Sequence, residues 1–74
     1  MNKYQIAARD LHEAAKVAHE RVEEAAKASI KAMKVGDTQG AEVLREVALE
    51  RARLAFNLDQ RAAAAAFDAI PLNG

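Results

Sequence analysis

Where the helix breakers fall constrains this chain more than any other feature. No Gly or Pro occurs between Asn2 and Lys34, and none between Ala41 and Ile70. Gly36 and Gly40 lie together in the central stretch KVGDTQGAE, and Pro71 and Gly74 lie at the end. Both uninterrupted stretches are rich in Ala, Glu, Lys, Arg, Leu and Gln, the strongest helix formers. Neither alternates β-branched with polar residues, as a half-buried strand would. Two helices of about 30 residues, each about 45 Å long, are predicted.

The central stretch supplies both a stop and a start. Gly36 can take the left-handed conformation that closes a helix. Lys27, Lys31 and Lys34 precede it, where cations suit the negative end of the helix dipole. Asp37 or Thr38 can cap the next helix, with Glu42 near its positive end. Pro71 stops the second helix. The expected boundaries are about 3–34 for helix 1, 35–38 for the turn, 39–69 for helix 2 and 70–74 for a tail, all in one domain spanning 1–74. So short a connection makes the helices antiparallel neighbours. The fold class is therefore all-α, an antiparallel two-helix hairpin. The spacing of Ala32, Gly36, Asp37 and Ala41 resembles the turn of tetratricopeptide-type helix pairs, although one hairpin without a repeat period carries no more than the turn.

Helix 1 bears a single stripe: Tyr4, Ala8, Leu11, Ala15, Ala18, Val22, Ala25, Ser29 and Ala32. Its steps alternate four and three, which is a heptad seam. Folding at the turn pairs residues whose numbers sum to about 73, so Leu11 meets Ala62, Ala15 meets Leu58 and Ala18 meets Leu54 and Ala55. In the same register Ala25 meets Ala48 and Ile30 meets Val43. Lys31 then lies near Glu42, Lys27 near Glu46, Glu20 near Arg53 and Glu13 near Arg61. Arg51 falls on the inner face near Val22, to snorkel toward Glu23 or Glu24 or to hold the register.

Helix 2 has more apolar surface than one neighbour can cover. Val43, Leu44, Val47, Leu54, Ala55, Leu58, Ala62 and Ala65 can face helix 1. A second set comprises Leu49, Ala52, Phe56, Ala63, Ala66, Phe67 and Ile70, in which Leu49, Phe56, Ala63 and Ile70 repeat every seven residues. A one-sided helix shows an apolar stripe of roughly 100° or a little more, and the two sets together exceed it. Left bare, the second set marks an interaction site. We expect these seven residues to form a protein-binding or dimer interface, with two hairpins making a four-helix bundle. Arg45 and Asp59 interrupt this set, where they can pair across the axis of a symmetric dimer. If the dimer uses the whole face, Tyr4, Ile6 and Val17 are the next apolar candidates for a target.

Composition agrees. Alanine accounts for 19 of the 74 residues, so large apolar side chains are scarce and the core of a lone chain is thin. Scaffolds of this size need disulfides, a metal or oligomerisation. There is no Cys, which removes disulfides and thiolate metal sites. Eleven basic residues balance eleven acidic ones, so no general attraction to nucleic acid or anionic lipid is expected. No apolar run approaches the roughly 20 residues of a membrane span, and MNKYQIAARD lacks the apolar core of a signal peptide. With Met at its start, the chain is expected to be a complete, small cytoplasmic protein.

No motif carries chemistry. His12 and His19 are seven apart, about 10 Å by helix rise, too far for one ion. They are expected to hydrogen-bond at the edge of the bundle, and no metal or cofactor is expected. There is no Ser-His-Asp pattern, glycine-rich phosphate loop or Walker sequence. The expectation is a non-catalytic regulatory, adaptor or inhibitor protein, of the kind found as bacterial or phage accessory proteins, acting as a homodimer on another protein. The alternative is an RNA-binding regulator: a dimeric helical hairpin resembles in shape a small plasmid copy-number regulator. Lys27, Lys31 and Lys34 favour that alternative, whereas neighbouring Glu42 and Glu46 and the lack of interleaved aromatics oppose it.

Overall fold

A computed structural model describes residues 2–68 of the chain. Helix α1 runs Lys3–Lys34 and helix α2 runs Thr38–Asp68, so the expected boundaries hold within one residue wherever they fall in the described range. The two helices pack along their length as an antiparallel hairpin, and no strand occurs among the described residues.

Each helix start is closed by a side chain. Asn2 accepts a hydrogen bond from the Gln5 amide at 2.8 Å, and the Gln5 side chain accepts one from the Asn2 amide at 2.9 Å. This reciprocal box satisfies two amides that the first turn of a helix leaves without partners. At α2 the Asp37 carboxylate accepts from the Gly40 amide at 2.9 Å. A Cβ at Gly40 would collide with that carboxylate where it now lies.

The turn uses three residues. Gly36 adopts φ +81°, the left-handed region that glycine enters without a Cβ penalty. Its amide donates to the Met33 carbonyl at 3.1 Å, and the Asp37 amide donates to the Ala32 carbonyl at 2.9 Å. Those two bonds make a Schellman motif. The Asp37 carbonyl then accepts from Ala41 at 3.0 Å, the first backbone bond of α2. Asp37 thus ends one helix and caps the next.

The core consists of alanine. Ala15, Ala18 and Ala25 of α1 and Ala41, Ala55 and Ala62 of α2 are buried, and among the described residues no larger side chain is fully so. Along α1 the expected seam is covered except at its first residue: Ala8, Leu11, Val22, Ser29 and Ala32 are partly covered around the three buried alanines, whereas Tyr4 is exposed. Along α2 the covered line is Ala41, Leu44, Ala48, Arg51, Ala55, Leu58, Ala62 and Ala65, stepping alternately three and four. Val43 and Leu54, expected to face α1, are instead 61% and 54% exposed. Ile30 likewise does not pair inward with Val43, for both are exposed. The reason is steric. Helix axes separate by 8–10 Å according to the side chains between them, and small alanines hold the line of closest approach while larger neighbours are displaced to its flanks.

Three polar contacts set the register. Ser29 Oγ donates to the Ala41 carbonyl at 2.8 Å, Arg51 Nη1 donates to the Arg21 carbonyl at 3.1 Å, and His19 Nε2 meets Asp59 Oδ2 at 2.7 Å. The first two join residues whose numbers sum close to the expected value. Arg51 takes a carbonyl of α1 rather than Glu23 or Glu24. None of the four expected cross-helix ion pairs closes among the described residues, and Lys27 pairs instead with Glu23 one turn back, at 3.4 Å. Exposed pairs gain too little, at most about 1 kcal/mol, to hold long side chains across a gap.

The hairpin is a rod. Its radius of gyration is 17.0 Å, against about 11 Å for a compact chain of this length. Its accessible surface is 5952 Å², whereas a compact 8.0 kDa monomer exposes about 4,450 Å².

Candidate protein-interaction surface

The α2 heptad that places Ala41, Ala48, Ala55 and Ala62 inward also dictates what lies beside them. Residues one or four positions further on are turned by roughly 40–100° around the helix. Along that flank α2 presents Arg45, Leu49, Ala52, Phe56, Asp59, Ala63 and Ala66. These residues again step four and three, so α2 carries two adjacent seams, one filled by α1 and one open.

The open seam contains most of the expected interface. Leu49 is 52% and Phe56 61% exposed. Ala52 is partly covered, and Ala63 and Ala66 are exposed. Phe67 stands slightly further round and is 76% exposed. Ile70 lies outside the described residues. Open grooves flank the seam toward the outer side of α2, one lined by Leu49, Ala52, Arg53, Phe56 and Asn57 and another by Glu46, Leu49, Glu50 and Arg53.

On the α1 side the surface is edged by the two histidines expected to hydrogen-bond there, and His19 does so. The His19–Asp59 contact ties the flank of α2 to the flank of α1. A groove bridging both helices is lined by Ala8, Arg9, His12, Asp59, Ala62, Ala63 and Ala66, and one near the turn by Ser29, Met33, Thr38, Ala41, Glu42 and Arg45. The surface is therefore a face of the whole hairpin, with His12, His19 and the exposed Met33 along one edge. The signal that finds it is again the heptad, because His12, His19, Ala26 and Met33 are seven apart and follow the inner seam of α1 by one residue. Asp59 is engaged inside its own hairpin, with its second oxygen left open, whereas Arg45 takes part in no ion pair among the described residues.

Other expectations locate as follows. Tyr4, Ile6 and Val17 are exposed, and the Lys3 ammonium sits 5.2 Å from the Tyr4 ring centre. Lys31 and Lys34 occupy the last turn of α1. Among the described residues no group of three or more His, Cys, Asp or Glu side chains converges on a point that would hold a metal ion, and no helix is long and apolar enough to cross a membrane.

No protein-family model matches the chain, and comparison with curated proteins and with solved structures gives no significant match.

Proposed function

We propose that this is a non-catalytic interaction protein: a small cytoplasmic regulator, adaptor or inhibitor that works as a homodimer and acts by binding another protein. The carrying observation is the inversion of its apolar residues. Methyl groups fill the core, while Leu49, Phe56 and Phe67 on the open face are all more than half exposed. Exposed apolar side chains at this density mark a surface made to be covered. The open seam of α2 is where the covering begins, since its alanines let another helix approach closely between the anchors Leu49 and Phe56.

The test has two parts. Light scattering on the purified chain should give twice its 8.0 kDa mass, and Phe56→Asp should lower that mass toward a single chain while circular dichroism still reports substantial helix. Affinity capture with the unmodified chain should retain a target protein that Phe56→Asp loses. A Phe56→Asp variant keeping both the native mass and the native target would exclude this face. A gel shift with RNA that withstands moderate salt would favour the nucleic-acid alternative instead.

A further inference from the structure

The open face prescribes how two copies meet. Resting on the self-association proposed above, we infer that the occupant of the α2 seam is a second copy of this chain, antiparallel, with the two-fold axis crossing α2 at Ala52 and α1 beside His19.

Area sets the kind of partner. The chain exposes 5952 Å², about 1,500 Å² more than a compact monomer of its mass. A standard stable interface takes about 800 Å² from each partner, so a symmetric dimer through this face fits within the surplus.

The seam sets the register. In an antiparallel symmetric pair, residues equally far before and after the axis meet one another. Ala52 is the small, partly covered residue midway between Arg45 and Asp59 on the seam, and there the two α2 helices approach most closely. Leu49 precedes it by three and Phe56 follows it by four, so Leu49 of each copy packs against Phe56 of the other. Arg45 precedes it by seven and Asp59 follows it by seven. The unpaired guanidinium of one copy therefore meets the open carboxylate oxygen of the other, on a carboxylate already steadied by His19 at 2.7 Å. Beyond them Glu42 faces Ala63 across the axis, large against small.

The other helix gives the same axis independently. The Arg51–Arg21 bond places Ala52 level with the stretch around Glu20 in α1. On the open flank, Lys16 and Glu23 are seven apart and centred on that level, so Lys16 of one copy faces Glu23 of the other. Shifting the pairing of the two α2 helices by one heptad would set Arg45 against Ala52 or Ala66 and leave Leu49 without Phe56. Charge and size thus select one register from the alternatives that a uniform alanine seam would tolerate.

The chain has no Cys, which makes a cross-linking test clean. Ala52→Cys should oxidise quantitatively to a disulfide-linked dimer under native conditions, because a residue on the axis meets its own copy. Asn57→Cys, on the outer side of α2, should not. Asp59→Arg should weaken dimerisation at least about tenfold, and adding Arg45→Asp should recover most of the loss, as expected for a close interfacial charge pair. A dimer in which Ala52→Cys fails to cross-link and the double charge swap recovers nothing overturns this register while leaving self-association standing. A single-chain mass for the unmodified protein overturns both.

Discussion

Asp37 serves two helices at once, its amide closing α1 and its carboxylate opening α2. Replacing it with Ala removes the cap and should cost about 1 kcal/mol, read as a shift in the urea midpoint with an unchanged slope. Gly36→Ala forces a side chain into the left-handed region and should cost about 1–2 kcal/mol. No loss of stability in that variant would mean the turn is built differently from its φ of +81°. At the core, Ala55 is among the most completely buried side chains. Ala55→Leu inserts atoms where the helices touch and should destabilise the hairpin by about 1–3 kcal/mol. A stabilised variant in the same unfolding experiment would show that the helices are less closely packed than the alanine seam implies.

The two helices were legible because helix breakers are local signals: an interval free of Gly and Pro, ended by Gly36 and Asp37, needs no tertiary knowledge to read. The inner line of α1 was legible for a similar reason, since its stripe is narrow. The inner line of α2 was only partly so. Its apolar residues surround more than half the helix, and hydrophobicity alone ranked Val43 and Leu54 above Ala41. Residue size decided otherwise, through the closeness of the helix axes. The Asn2–Gln5 box was readable from a capping residue followed three positions later by an amide, yet the expected start of α1 did not use it. The His19–Asp59 contact was hidden, because it joins residues 40 apart through side chains that reach beyond the register of their backbones. At this scale Leu54→Gln serves as the control for Phe56→Asp. Leu54 lies off the open seam and is 54% exposed, so its loss should leave dimer mass and stability within about 0.5 kcal/mol of the original.

For the molecule as a whole, a radius of gyration of 17.0 Å and extents of 61 × 16 × 12 Å describe a rod two helices wide. Such a rod buries only about half of the roughly 11,600 Å² its unfolded chain exposes, where about 60% is usual for a domain of this size. Methyl groups supply little of the transfer free energy that holds larger cores together. In the proposed dimer, folding and association become one equilibrium, linked by mass action. Dilution alone should loosen the hairpin. Circular dichroism melts taken at micromolar and at millimolar strand content should differ by many degrees, and a melting point indifferent to that change would mean that the alanine seam suffices unaided. A cell holding such a chain could regulate its fold simply by how much of it is made.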